Sequence, residues 1–348
     1  MTPSSAAAGP IPSLDGIRAI AVALVFLAHS GLERGVPGGL GVTIFFVLSG
    51  YLITTLMRTE HGKRGHVDWR AFYLRRLLRL MPPLLVVTVL AGLLSALGVI
   101  GGGFTLGGAL AALLYAGNYF VIAQDYHGLP AGVGVIWSLA IEEHYYLFFP
   151  PLAALLLRGP RAAVSAGVLG GLCALVLAWR CWLALQGASQ AWMTMATDTR
   201  VDAILVGCAL ALWHNPWLDP APPRAVRELA LAALCVAVLL CTLVVRDETF
   251  RVTARYTLQS AAIAGLLWLA VARASQRPWR WLSAPALAYL GSISYTVYLS
   301  HHVILLGLAR HLPQWGWPAL TLAGAALTLL LAEAMRRWVE QPCARLRQ

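Results

Sequence analysis

The sequence predicts an all-α, polytopic membrane protein with about ten transmembrane helices, and its composition leads directly to that fold class. Hydrophobic residues make up 59% of the 348 positions, charged residues make up 12%, and the mean hydropathy is +0.70. An ordinary soluble domain carries about twice that charged fraction. The net charge of +11 is spread over short loops between apolar runs. The charge therefore indicates membrane topology rather than nucleic-acid binding.

Ten apolar runs of nearly membrane-spanning length follow one another along the chain. They cover residues 14–34, 39–57, 80–100, 138–157, 162–185, 199–214, 227–245, 254–272, 286–309 and 317–335. The loops richest in Lys and Arg are 58–79, 158–161 with Arg158 and Arg161, 215–227, 273–280 and the tail from Arg336. All of them lie on the cytoplasmic side if the N-terminus does, as the positive-inside rule requires.

Residues 106–124 are also apolar, but a crossing there would invert the helices that follow it. We therefore predict a re-entrant or interfacial segment on the non-cytoplasmic side. We expect one membrane domain over 1–348, with a flexible N-terminus at 1–13 and a cytoplasmic tail at 336–348. The first residues do not look like a cleavable signal peptide. The six cysteines show no CxxC spacing, so neither a disulfide framework nor a metal site is expected.

The first run, LDGIRAIAVALVFLAHS, contains three polar groups that are costly in hydrocarbon, Asp15, Arg18 and His29. On a helix, Arg18 and His29 share one face and lie about 16 Å apart, with Asp15 one turn below Arg18. Such a face normally borders protein or a watery cavity and indicates function. The alternative is an interfacial Asp15 and Arg18 together with a single core histidine.

Topology assigns a depth to each polar group. His29 lies roughly 22 Å above the cytoplasmic end of its helix, in the outer half. Glu142 and Glu143 begin an inward-going span at the same level, and Asp198, Arg200 and Asp202 begin another. On the cytoplasmic side, FYLRRLLRLMPP places Arg75, Arg76 and Arg79 before the third span, with Arg76 and Arg79 at i, i+3 spacing.

This arrangement suggests acyl transfer from a CoA thioester. The planar guanidinium groups of arginine suit the phosphates of CoA, and the flexible arm that carries the thioester could bridge the distance to His29. His29 could then act as a general base or become acylated itself. Other interpretations remain open for each element. The arginine cluster could be a positive-inside anchor, Glu142 and Glu143 could pair with Arg180 or Arg200, and the TDTRVD charges could form a structural network. His301 and His302 could be core residues.

Several motifs in order resemble acyltransferase family 3, the bacterial integral-membrane O-acyltransferases of the O-antigen acetylase type. The motifs are LDGIRAIAVALVFLAHS, FFVLSGYLIT, FYLRRLLRLMPP, WSLAIEEHYYLFFP, TDTRVDAILVG, LGSISYTVYLSHH and VEQPCARL. The resemblance implies transfer of an acyl group, usually acetyl, from acyl-CoA to a carbohydrate hydroxyl. It matches Arg18 and His29 to the family's Arg, ten residues, His motif, Arg76 and Arg79 to RxxR, and Glu142 to the glutamate of WSLxxE.

Three features depart from the family pattern. His144 stands where glutamine is usual, and YLSHHV replaces the usual YLWHxPV around His301. We also expect the chain to lack the extracytoplasmic esterase-like domain of some relatives, so that the membrane domain alone recognises the acceptor.

The predicted function is a multi-pass O-acyltransferase of the bacterial inner membrane, with acyl-CoA, specifically acetyl-CoA, as the donor, no metal, and a carbohydrate or glycolipid acceptor. The alternatives are a transporter or flippase for a glycan-linked or anionic substrate, and an acyltransferase acting on a glycosylated secondary metabolite. The predicted catalytic residues are His29, Glu142, Glu143 and Asp15. The predicted donor-binding residues are Arg18, Arg76 and Arg79, and the predicted acceptor-binding residues are Asp198, Arg200, Asp202 and His301.

Overall fold

A computed structural model describes residues 11–32, 35–158 and 162–346, and the side chains of Pro12 and Arg158 lie outside that description. Of the described residues, 81% are helical, and no strand occurs among them. The all-α prediction is therefore confirmed for the described chain. Arg161 and the first ten residues of the predicted flexible N-terminus lie outside the described residues.

The helices of the first half of the chain follow the predicted apolar runs, but several boundaries differ from the prediction. They are α1 Pro12–Leu27, α2 Gly38–Arg64, α3 Trp69–Ala96, α4 Leu106–Leu113, α5 Gly117–Gln124, α6 Trp137–Arg158 and α7 Ala162–Leu185. The predicted loop 58–79 is wrong, because α2 and α3 extend into it and leave only residues 65–68 as the connection. Helices continue past the end of an apolar run wherever their charged turns can reach water or partners.

The second half contains shorter helices as well as long ones. They are α8 Gln190–Met195, α9 Thr197–Arg200, α10 Asp202–Trp213, α11 Ala225–Val244, α12 Glu248–Val252, α13 Ala254–Ala272, α14 Pro285–Ser292, α15 Ser294–His311, α16 Trp317–Met335 and α17 Gln341–Arg345. The predicted span 286–309 is divided at Ile293 into α14 and α15. The predicted span 199–214 contains a helix of only 12 residues, α10.

Six of the described helical segments are long and apolar enough to cross a membrane, or seven if the bent pair α14 and α15 counts as one span. The six are Ser13–Leu32, Gly38–Arg64, Trp69–Ala96, Ala162–Leu185, Ala225–Val244 and Trp317–Arg345. The chain is therefore a membrane protein, whereas the count of ten spans and the cytoplasmic termini remain predictions. Residues 106–124 do not form one long helix. Two eight-residue helices separated at Tyr115, which has φ 56°, occupy this stretch.

The chain divides into two compact units. In the first unit, which comprises residues 11–21, 42–67 and the described part of 145–292, α10 packs against α7 and α13, and α11 packs against α13. Helices α2 and α10 touch through glycine. A Cβ atom on Gly50 would stand 1.9 Å from the Ile204 carbonyl oxygen, and one on Gly207 would stand 2.1 Å from that of Val47. The small residue at Gly50 therefore allows the two helices to approach closely.

The second unit comprises the described parts of residues 22–41, together with 68–144 and 293–346. Its long helices are α3, α15 and α16, and α15 packs on both of the others. The loop that precedes α6 also lies against α15, since a Cβ atom on Gly132 would stand 2.5 Å from the backbone nitrogen of Val303. Helix α15 is thus the central helix of this unit, and its side chains position the candidate site.

Candidate active site

His29 lies where the first span changes its helical geometry. The α-helical hydrogen bonds of α1 give way to a π-helical turn over Ala28–Leu32, and Gly31 adopts φ 97°, a left-handed conformation that favours glycine. Single π-turns inserted in helices are frequent at functional sites. The His29 side chain is exposed, although the residues on either side of it, Ala28 and Ser30, are buried. The turn therefore presents an imidazole at the surface of an otherwise packed helix end.

Two further histidines surround His29. The Nε2 atom of His301 lies 3.0 Å from Nδ1 of His29, and the ring centroids are 5.0 Å apart. The ring of His302 lies 4.3 Å from that of His29 at an interplanar angle of 31°. His301 is completely buried. The sequence favoured a core position for His301 and His302. The structure agrees on the burial of His301 but also brings it into contact with His29.

The hydrogen bonds determine which nitrogens carry protons. The Nδ1 atom of His301 lies 2.7 Å from the carbonyl oxygen of Tyr298, which can only accept, so this nitrogen is the donor. The Nδ1 atom of His29 lies 3.0 Å from the carbonyl oxygen of Val25 and is a donor for the same reason. In a neutral His301, Nε2 then carries the lone pair that faces the Nδ1–H of His29. A neutral His29 accordingly has its own lone pair on Nε2.

Helix α15 carries Tyr295, Tyr298 and His301 at i, i+3 and i+6, which places them along one face. The Tyr295 hydroxyl donates to the carbonyl oxygen of Leu80 at 2.8 Å. The Tyr298 hydroxyl lies 2.6 Å from Ser138 Oγ, in the first turn of α6. These contacts tie α15 to α3 and α6. They also hold the Tyr298 backbone, to which His301 is anchored.

The predicted acidic pair lies beside this face of α15. Glu142 is close enough to interact electrostatically with Tyr298 and Tyr295, and Glu143 with Tyr115 and Tyr295. The guanidinium group of Arg76, on α3, interacts electrostatically with the Glu143 carboxyl group. Burial raises the pKa of Tyr115, and the Glu143 carboxylate acts in the same direction, so this phenol stays protonated and can donate a hydrogen bond.

The position of Arg76 differs from its predicted depth. The sequence placed it at the cytoplasmic end, separated from Glu143 by the length of the span, yet the two side chains interact electrostatically. Helix α3 begins at Trp69 rather than near residue 80, so Arg76 lies about two turns inside the helix and is half-buried. Arg79 and Arg75 are exposed. His144, the departure from the family pattern, stacks on Tyr119 with ring centroids 6.1 Å apart.

In the first unit, Asp15 and Arg18 form an ion pair. The Arg18 guanidinium donates to the Asp15 carboxylate at 2.7 Å, and both side chains are partly exposed. The close approach of α14 fixes this turn, because a Cβ atom on Gly291 would stand 1.9 Å from the Asp15 carbonyl oxygen. The predicted spacing of Asp15 one turn below Arg18 is therefore confirmed, and their roles in catalysis and donor binding remain predictions.

Asp198 and Arg200 lie at the start of the α9–α10 segment. The Asp198 carboxylate accepts from the indole N–H groups of Trp179 at 2.7 Å and Trp192 at 3.3 Å. Arg200 is 2% exposed, with its guanidinium 3.7 Å from the centroid of the Tyr256 ring. It also donates to Thr43 Oγ1 at 3.2 Å. These contacts lie within the unit and favour a structural role for Arg200.

Asp202 forms a buried ion pair with Arg180. Both side chains have no solvent exposure, and the closest nitrogen and oxygen atoms are 2.7 Å apart. Thr257 donates to the same carboxylate at 2.8 Å. The alternative that Arg180 pairs with Glu142 or Glu143 gains no support from this contact. The buried pair agrees with the structural network that the sequence left open for TDTRVD.

Sequence reasoning did not single out four residues of the second unit, namely Tyr115, Ser138, Tyr295 and Tyr298. The spacing in SYTVYLSHH, where polar aromatic groups recur every three residues in an apolar run, could have indicated two of them, Tyr295 and Tyr298. Tyr115 and Ser138 approach α15 only through tertiary folding. No local pattern predicts them.

Comparison with known proteins assigns the family. The profile of the acyltransferase domain family, Acyltransferase 3, matches residues 11–336. The peptidoglycan O-acetyltransferase OatA of Listeria monocytogenes is 31% identical over 95% of this chain and 55% of its own length. A Staphylococcus aureus protein provisionally named an O-acetyltransferase is 30% identical over 95% of this chain and 57% of its own length.

A Bacillus subtilis protein provisionally named a peptidoglycan O-acetyltransferase, YrhL, is 31% identical over 95% of this chain and 54% of its own length. The chain thus spans little more than half the length of these curated relatives. No solved structure matches the chain. The names of the relatives give no support to the transporter alternative. Because the family profile covers nearly the whole chain, the protein belongs to the acyltransferase domain family, as the ordered motifs predicted.

Proposed function

We propose that this chain is a membrane O-acetyltransferase that moves an acetyl group from cytoplasmic acyl-CoA to a hydroxyl of a cell-surface or exported carbohydrate, in the bacterial inner membrane. The peptidoglycan named for two relatives is one such carbohydrate. The observation that carries the proposal is the exposed His29 ring, held at Nδ1 by the Val25 carbonyl and by His301.

In this mechanism, His29 Nε2 takes the proton of the acceptor hydroxyl while that oxygen attacks the thioester carbonyl. The resulting imidazolium keeps its Nδ1–H directed at two acceptors, the Val25 carbonyl oxygen and His301 Nε2, and both stabilise the positive charge. His29 then returns the proton to the departing CoA sulfur. If His29 instead attacks the thioester, the acyl carbon bonds to the same Nε2 atom as its bond to sulfur breaks and CoA leaves as the thiolate. The acceptor oxygen then displaces Nε2 from the acyl carbon and its proton passes to the thiolate, so both routes use the same orientation of the ring.

Other residues act on the donor and the acceptor. Arg79, Arg76 and Arg18 carry guanidinium groups that suit the phosphates of CoA. Glu142 and Glu143, beside the hydroxyls of Tyr295 and Tyr298, supply acceptors for sugar hydroxyls. Asp15 orients Arg18 through their ion pair. The carboxylate of Asp198, at the start of α9, is a further candidate for contact with the acceptor.

Mass spectrometry of surface glycans from cells with and without the gene tests this function. We expect O-acetylated sugars in the first sample and their loss in the second, with recovery when the intact gene is restored. Identical acetylation of all surface glycans in both samples would contradict the proposal.

His301 is proposed as a positioning residue that acts through His29. His301→Phe keeps a buried ring but removes the Nε2 acceptor, and we expect kcat to fall by about 10- to 100-fold with little change in KM for acyl-CoA, because the reacting imidazole is misplaced. His301→Gln retains an acceptor oxygen and should recover part of that loss. His311→Phe on the same helix is the matched control. Equal kcat in wild type and His301→Phe would refute the role.

Donor binding is assigned to the exposed arginine of the RxxR motif. Arg79→Gln should weaken CoA binding to the purified protein by roughly tenfold or more, the effect of losing a charge-assisted hydrogen bond to phosphate. Arg75→Gln removes the same charge from the same helix and should change affinity far less. Titration calorimetry measures the affinity of each variant for CoA. Similar CoA affinities for both variants would contradict donor binding by Arg79 and would indicate that the arginine cluster only anchors the helix at the membrane surface.

A further inference from the structure

A cavity of about 490 Å³ opens in the first unit between α10, α11 and α13. Its walls are mainly apolar, with Leu210, Leu231 and Trp213 among them. Its polar lining includes His214, directly after α10, and Arg224 and Arg227 at the start of α11. None of these residues takes part in the proposed acyl-transfer site, so the cavity requires a separate explanation.

The shape of the cavity follows from the packing of two helices. Helices α11 and α13 approach closely at Gly265, where a Cβ atom would stand 2.5 Å from Cys235 Sγ. Toward the start of α11, Leu231 of α11 and Trp268 of α13 line the cavity, and Glu228 is joined to Arg273, the residue after α13. The indole Nε1 of Trp268 is buried and has no hydrogen-bond partner. The outer face of α11 is apolar, and Val226 and Leu229 are 83% and 72% exposed. The cavity therefore opens beside a lipid-facing helix.

The residues around the cavity carry a net positive charge. Glu228, the acid in its lining, pairs with Arg273 at 2.5 Å and accepts from the backbone N–H of Arg224 at 2.9 Å. The neighbouring acid, Asp219, pairs with Arg58 at 2.9 Å. Both acids near the cavity are thus neutralised by arginines of other segments. Arg224 and Arg227 add two positive charges at its mouth.

We infer that this cavity binds an anionic glycerophospholipid. Arg224 and Arg227 bind the phosphate of the head group, the Trp268 ring packs beside the glycerol backbone, and an acyl chain follows the apolar wall of Leu210 and Leu231 outward along α11. Arginine forks match phosphate oxygens, and indole groups are enriched at the depth of the head groups. The argument is independent of acyl transfer, because it uses neither His29 nor the donor.

Native mass spectrometry of the full-length protein, titrated with phosphatidylglycerol and with phosphatidylcholine of the same acyl chains, tests the inference. The wild type should prefer phosphatidylglycerol. Arg224→Gln with Arg227→Gln should lower that affinity by roughly 30-fold, which corresponds to about 1 kcal/mol for each basic residue near an anionic lipid. The control double variant, Arg246→Gln with Arg280→Gln, removes the same charge elsewhere and should change affinity less than about threefold, since distant charges are screened.

Two further experiments distinguish binding of a phospholipid from binding of a free phosphate ion. Ala221→Phe fills the cavity without changing charge and should weaken phosphatidylglycerol binding, because an acyl chain needs that space. Millimolar inorganic phosphate should not displace the lipid. Displacement by phosphate would show a simple anion site and overturn the lipid assignment. Equal binding of both lipids, or equal loss in both double variants, would overturn the inference as well.

Discussion

Replacing His29 by alanine is expected to lower the rate of acyl transfer by at least about 10²–10⁴-fold, the contribution typical of a positioned general base. The protein should still insert and fold, because the His29 side chain is exposed and the turn around it is fixed by Gly31. The release of free CoA from acetyl-CoA by purified protein measures the effect. If His29 is the nucleophile rather than the base, the loss should be at least as large.

His311→Ala is the matched control for this experiment. His311 lies in the same unit and also contacts a backbone carbonyl, that of Val99 at 2.8 Å, but it is exposed at the end of α15. Its removal should leave the rate within about twofold of wild type, as expected for a surface position away from the chemistry. A His29→Ala protein that retains the wild-type rate would eliminate the mechanism.

Replacing Asp202 by alanine should cause the largest loss of stability, about 3–5 kcal/mol, because it leaves the Arg180 guanidinium buried without its carboxylate. The Thr257 hydroxyl would lose its acceptor as well. Thermal unfolding in detergent, followed by intrinsic fluorescence, measures the change. Asp202→Asn keeps the hydrogen-bonding shape and should lose less.

The comparison for this prediction is Asp219→Ala. Its ion pair with Arg58 has a similar length, 2.9 Å, but the Asp219 side chain is 45% exposed. Exposed pairs contribute about 0–1 kcal/mol. A similar loss of unfolding free energy in both variants would show that burial does not make the Asp202–Arg180 pair more important for stability than an exposed pair.

The fold class was predictable because the bilayer imposes apolar helices of known length, and each predicted run contains helical residues. The boundaries were less predictable. Charged turns continue α2 to Arg64 and start α3 at Trp69, since a helix end is decided by backbone partners and not by the last apolar residue. The break between α14 and α15 at Ile293 contains no proline, but Gly291 and Ser292 directly precede it, and such a pair is a common cause of a helix kink.

The candidate site was predictable at His29, because a titratable group in an apolar run is costly enough to indicate function. The contact between His29 and His301 was not, because it joins positions 272 residues apart and no local spacing encodes it. The interaction of Arg76 with Glu143 was missed for the same reason. Conversely, Arg200 and Asp202 are charged residues in an apolar run, a pattern that also predicts a functional site. Only the three-dimensional structure shows that both are buried against partners inside the first unit.

The most direct test of the proposed chemistry combines both halves of the reaction in one measurement. Purified wild-type protein, supplied with acetyl-CoA labelled in the acetyl group and with isolated cell-wall glycan, should release free CoA and place the label on the glycan as an alkali-labile ester. His29→Ala should do neither. Release of CoA without labelled ester, or equal labelling by the variant, would contradict acyl transfer through His29.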